Sequence, residues 1–148
     1  MAQYKNIIIP TDGSVNSKRA VEHAVIIAQA SKAAVTLVYV ANIVSVISNF
    51  DHIPNSSGYV TEQVAMDMEK EGKAVLADFA KNIPDNIEVN SVFEVGSPGP
   101  AILSVAKKNN ADLIVMGSRG LGPIKGLFMG SVSSYVVTHS TCPVMIVK

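Results

Sequence analysis

Leu113-Ile114-Val115-Met116-Gly117-Ser118-Arg119-Gly120 is the stretch on which the fold turns. Four consecutive apolar residues, with no polar residue alternating between them, describe a strand buried on both faces. Such strands belong to the middle of a parallel sheet, whose two faces must be covered by helices. The glycines that follow end the strand and let the backbone approach whatever lies beyond it.

Outward from this strand the same rhythm repeats. Asn6-Ile7-Ile8-Ile9 is a first strand, ended by Pro10-Thr11-Asp12-Gly13-Ser14. Ala20, Val21, Ala24, Val25 and Ala28 then mark one face of a helix. Ala34 to Val40 reads as a second strand. Ile43 to Gly58 has no period, carries Pro54-Asn55-Ser56-Ser57-Gly58, and reads as a loop. Val64, Met68, Val75, Leu76, Phe79 and Ile83 predict a long helix. Ile87 to Val95 is a third strand, whose partial alternation suits a sheet edge with one wet face. Ser97-Pro98-Gly99-Pro100 opens a helix running to about Asn109, since proline is tolerated in a first turn. Another helix starts near Ser131, and Pro143 to Val147 forms a fifth strand.

Strands alternating with helices predict an α/β fold with a doubly wound, five-stranded parallel sheet, Rossmann-like or flavodoxin-like, in a single domain over residues 1–148. Right-handed crossovers and the edge-like third strand give the order 3-2-1-4-5. The order then reverses between strands one and four. Ligands of such sheets bind outside the carboxyl ends of the strands at that reversal. Pro10-Thr11-Asp12 and Gly117-Ser118-Arg119-Gly120 are brought there by topology alone.

Composition bounds the function. Of 148 residues, 48% are apolar and 16% charged, and 12 basic side chains balance 12 acidic ones. A nucleic-acid partner is not expected without a basic excess. Cys142 has no second cysteine to pair with, so an oxidising compartment gets no support. Met1 to Asn6 does not read as a secretory leader. The apolar stretch Ala33 to Phe50 is interrupted by Thr36, Asn42, Ser45, Ser48 and Asn49. It reads as strand and loop rather than a membrane span. A cytoplasmic location is expected, with no membrane partner.

The glycine-rich segment offers the most chemistry. Glycines let backbone N–H groups meet an anion unobstructed. A helix start at Gly130-Ser131 adds unpaired donors and a favourable dipole. The hydroxyls of Ser131 and Ser133 are candidate donors to phosphate, and Arg119 and Lys125 candidate positive charges. The alternative is a plain connection with a serine cap. Neither a P-loop nor the dinucleotide fingerprint is present. His139 and Cys142 are weak candidates for a metal, because His23 and His52 lack a matching spacing. Asp12 also has a bland reading, as a helix-start residue in a tight turn.

Gly117, Gly120, Gly130 and Ser131 are spaced as Gly-x-x-Gly, nine residues, then Gly-Ser. That pattern resembles the nucleotide-binding signature of the universal stress protein family. Lys5 to Ser14, Val95 to Pro98, Ala111 to Gly120 and Cys142 to Lys148 resemble other segments of the same family, in the same order. The resemblance implies ATP binding, with ADP or AMP as relatives and Mg²⁺ carried by the phosphates, Asp12 being a candidate contact. It places Asp12 at the ribose, the backbone of Val40 at adenine, and Pro10 and Thr11 in the nucleoside pocket. Met116 is counted with the site. Gly117, Ser118, Arg119, Gly120, Leu121, Gly122 and Pro123, with Gly130, Ser131, Val132 and Ser133, would hold the phosphates.

A regulatory module whose nucleotide state is read by a partner protein is the leading expectation. A slow Mg²⁺-dependent ATPase or phosphotransfer enzyme is the alternative, as is a nucleotide-free interaction domain. No residue beside the glycine loop is an evident general base, so no catalytic residue is assigned. The apolar fifth strand, Pro143 to Val147, predicts a homodimer through its edge; the resemblance points the same way.

Overall fold

A computed structural model describes residues 3–42, 58–119 and 129–148, the side chains of 58–61 excepted. The chain runs β1 (Asn6–Pro10), α1 (Val15–Ser31), β2 (Ala34–Ala41), α2 (Gly58–Lys81), β3 (Val89–Val95), α3 (Pro98–Lys108), β4 (Leu113–Gly117), α4 (Ser131–His139) and β5 (Val144–Val147). All five strands are parallel, in the order β3-β2-β1-β4-β5. This is the doubly wound sheet the sequence predicts, with β3 at one edge.

Alternation along each strand divides the core between two faces. Ile7, Ile9, Val35, Leu37, Leu113 and Val115 pack under α1 and α2, with Ala20, Ala24, Leu76 and Phe79. Ile8, Val38, Ile114 and Met116 pack on the opposite face under α3 and α4, with Ile102, Val105 and Val136. Ile7, Ile8, Ile9, Leu37 and Ile114 lie among the largest fully buried side chains. Burying a side chain of this size is worth roughly 1.5–3 kcal/mol. The apolar runs are therefore continuous because both faces need them.

Small residues set how closely the layers approach. A Cβ on Gly72 of α2 would lie 2.6 Å from the rings of both Tyr39 and Phe93. Those rings stack with centroids 6.0 Å apart. Burial, then the carboxylates of Glu71 and Asp12, push the Tyr39 phenol above its ordinary pKa.

The boundaries shift in places. Gly58 begins α2 instead of ending the loop, and the rest of that expected loop lies outside the described residues. α2 stops at Lys81, two residues before Ile83, where Asn82 and Ile83 donate to the carbonyls of Phe79 and Ala80 and tighten the last turn. Ile87 precedes β3 in a turn, its N–H bonded to the Pro84 carbonyl. It is buried all the same. Among the described residues no helix is long and apolar enough to cross a membrane.

Candidate functional site

The exit from β1 is a sequence of tight local bonds. Thr11 donates to the Val38 carbonyl through its N–H at 2.7 Å and its hydroxyl at 3.2 Å, extending the β1–β2 pairing past the strand. One carboxylate oxygen of Asp12 accepts the Ser14 N–H at 2.9 Å. This turn of an aspartate side chain onto the second residue ahead fits Asp in a tight corner. Gly13 has φ +83°, and a Cβ there would find only ordinary contact with Val75. Backbone conformation, not space, calls for glycine at this corner. Ser14 then caps α1 by accepting the Ser17 N–H. Asp12 thus has the helix-start role its position allows, and it also lines a cleft.

Facing it is the exit from β4. A Cβ on Gly117 would lie 2.8 Å from the Asn16 Cβ and 2.9 Å from its carbonyl carbon, so only glycine lets α1 pass here. The Ser118 N–H donates to the Val147 carbonyl of β5 at 2.8 Å. Its carbonyl accepts the Gly130 N–H at 2.7 Å. Gly130 is the N-cap of α4 and supplies no capping side chain. The first-turn N–H groups of a helix lack partners within it, so this end is an anion-favouring surface.

Between the two exits lies a cleft of about 590 Å³, within the range of small-molecule sites. It contains Pro10, Thr11, Asp12, Val40, Met116, Gly117, Ser118, Arg119, Gly130, Ser131, Val132 and Ser133. Each of these was a candidate from sequence. Gly120, Leu121, Gly122 and Pro123, as well as Lys125 and Gly126, lie outside the described residues. Val38, Val40, Pro98, Ile102 and Met116 make an apolar part of the wall, while serines and glycines dominate the β4–α4 side. Asp12 and Arg119 are the charged side chains lining the cleft among the described residues.

The sequence reading missed Ser14, Ser17, Val38, Pro98, Ile102, Met129 and Ser134. Pro98 and Ile102 come from the first turns of α3, one above the other at the four-residue spacing of a helix face. Once the strand order is known, the β3–β4 crossover must carry this helix across β2 and β1, and it packs beside β2 and α4. Gly130 has an extended backbone, with φ −71°. The Ser133 hydroxyl is directed at the Ser118 and Gly130 carbonyls.

A second cavity of about 420 Å³ lies elsewhere, beside Lys107, His139 and Cys142. His139 there pairs with the Tyr135 carbonyl. No group of three or more metal-ligating side chains occurs among the described residues.

This arrangement is a parallel doubly wound α/β sheet with a cleft of ligand size at its strand-order reversal, the place where sheets of this class hold ligands when they bind them. The chain matches the Universal stress protein family over residues 3–148, and it belongs to that family. It is 34% identical over 146 residues to Universal stress protein MJ0531 of Methanocaldococcus jannaschii, covering 98% of this chain and 82% of that one. The solved structure of hypothetical protein MJ0577 superposes with a TM-score of 0.84 at 27% identity, covering 99% of this chain and 97% of that one. A universal stress protein solved in complex with cAMP matches with a TM-score of 0.69 at 26% identity, covering 99% and 98% of the two chains.

Proposed function

We propose that this chain is a single-domain, cytoplasmic regulatory module that binds ATP, or ADP or AMP, in the cleft between the ends of β1 and β4. The observation that carries the reading is the division of that cleft. One part is apolar, formed by Val38, Val40, Ile102 and Met116. The other is made of glycines, serines and the open start of α4. A nucleotide is divided the same way, into a flat base and an anionic tail. The similar protein solved with cAMP supports an adenine ligand for this family.

The donors present fit the parts of the ligand. Asp12 suits a ribose hydroxyl, and Arg119 with the N–H groups of Ser131 and Val132 suits phosphate. Asp12 is the carboxylate lining the cleft among the described residues, so it is the side chain that would share a phosphate-bound Mg²⁺. The ion would offset phosphate charge. No described side chain at the β4 end is an evident general base, which favours binding over turnover; slow hydrolysis stays the second reading.

Mass spectrometry of the ligand released when purified protein is denatured tests the proposal. An adenine nucleotide in stoichiometric amount is expected. Protein that releases none, and takes up none when incubated with ATP, would remove the nucleotide reading in favour of a nucleotide-free interaction domain.

A homodimer through β5 belongs to the same proposal. β5 pairs with β4 on one side, and among the described residues no strand pairs with its other side. The carbonyls of Pro143 and Val147 accept from Ile114 and Ser118. Backbone alternation then turns the N–H and C=O of Val144 and Ile146 toward the outer edge. Their side chains pack against the core under α3 and α4, while Met145 is exposed on the other face. The same strand of a second copy, antiparallel about a two-fold axis, would satisfy these groups. Light scattering at tens of micromolar should give twice the monomer mass. A monomer there would dismiss the interface. A regulatory protein that reads the occupied state completes the proposal.

A further inference from the structure

Ser133 is 2% exposed, and its hydroxyl oxygen lies 2.9 Å from the Ser118 carbonyl and 3.0 Å from the Gly130 carbonyl. A hydroxyl has one proton, so the two carbonyls share it or compete for it. The Ser118 carbonyl also accepts the Gly130 N–H at 2.7 Å, so both of its lone pairs are engaged. These bonds join the end of β4 to the start of α4, across the two flanks of the glycine-rich segment. The Gly130 carbonyl in turn accepts the Ser134 N–H, the first bond of α4. Ser118 is tied to β5 through its N–H to the Val147 carbonyl. The hydroxyl therefore sits where the end of β4 and the start of α4 meet.

We propose that Ser133 is a positioning residue: it fixes the start of α4 against the end of β4 and so sets the phosphate-binding half of the cleft. The inference rests on the nucleotide reading above and assigns Ser133 a role other than touching phosphate. Its proton is already directed at backbone carbonyls, and the residue is buried although it borders the cleft. What Ser133 supplies is the placement of the Ser131 and Val132 N–H groups relative to Ser118 and Arg119. Losing it should weaken binding of the anionic tail and leave the base and ribose unaffected.

The test uses the full chain and its Ser133→Ala variant, titrated calorimetrically with ATP-Mg²⁺ and with adenosine. The amide exchange rate of Gly130 is followed by NMR without nucleotide. ATP affinity should fall about threefold to tenfold, the value of one hydrogen bond. Adenosine affinity should change less than twofold, and the Gly130 amide should exchange faster in the nucleotide-free variant. Ser133→Cys, which keeps the volume and a weak donor, should fall between. Weaker ATP binding with unchanged Gly130 exchange would overturn the proposal and make the hydroxyl a direct phosphate ligand. Equal losses for ATP and adenosine would also overturn it, as damage to the whole cleft. Unmodified protein that binds neither ligand would instead bring down the nucleotide reading and the proposal with it.

Discussion

Gly117→Val is expected to lower the melting temperature by about 6–12 °C, whether or not nucleotide is present. The cause is the crossing of α1 over the end of β4. A Cβ at position 117 would fall 2.8 Å from the Asn16 Cβ, 2.9 Å from its carbonyl carbon and 3.1 Å from its carbonyl oxygen. These atoms belong to, or are bonded directly to, the backbone of α1, so no rotamer change relieves the overlap. The helix must move off the sheet, and the branched side chain adds two further methyl groups. Overpacking of this kind costs typically 1–3 kcal/mol, occasionally more. The rigid neighbour puts this site near the upper end. A protein of this size loses about 2–4 °C per kcal/mol.

Gly130→Ala is the informative comparison. Its φ is ordinary, and its Cβ would lie 3.4 Å from the Ser118 carbonyl oxygen and 3.7 Å from the Arg119 Cα. Folding should cost less than about 1 kcal/mol, roughly the difference between good and poor N-caps. A scanning-calorimetry comparison checks both. Equal melting temperatures for Gly117→Val and the unmodified protein would show that α1 does not bear on β4 as described.

Much of this was legible in the sequence, and the reasons are local. Ile7 to Ile9 and Leu113 to Met116 are apolar without alternation because α1 and α2 cover one face and α3 and α4 the other. That marked Leu113 to Met116 as a central strand, while right-handed crossovers and the edge-like β3 gave the order and put its reversal between β1 and β4. The strand order then placed Asp12 opposite Gly117 without further information. The contribution of α3 was not legible, because Pro98 and Ile102 read as a plain helix start and a core residue. Only the crossover places that face over the cleft. The function of Ser133 was hidden for a related reason. A serine in a helix's first turn reads as a donor to ligand, and only the distances show that Ser118 and Gly130 already receive its proton. Ile87 read as strand because apolar character, the signal used, does not distinguish a strand residue from one buried in the turn before it.

ATP-Mg²⁺ is expected to raise the melting temperature by about 5–11 °C at a concentration near 100 times its dissociation constant. A ligand that binds only the native state stabilises it by RT ln(1 + [L]/Kd), or roughly 2.7 kcal/mol at that ratio. The same dependence of about 2–4 °C per kcal/mol converts this to temperature. The unfolded chain should not compete, since the cleft exists only when β1, β4, α3 and α4 are assembled: its walls come from residues as distant as Pro10 and Ser134. The shift should grow with the logarithm of concentration, without a plateau, well above the dissociation constant. Copurifying nucleotide must first be removed by unfolding and refolding, or the starting point will already be stabilised. Adenosine, lacking the tail that Arg119 and the start of α4 would receive, should give a smaller shift at equal concentration. The comparison separates the two halves of the cleft. No shift with millimolar ATP-Mg²⁺ on stripped protein would defeat the proposed function. Equal shifts for ATP and adenosine would keep the nucleoside half and reject the phosphate half.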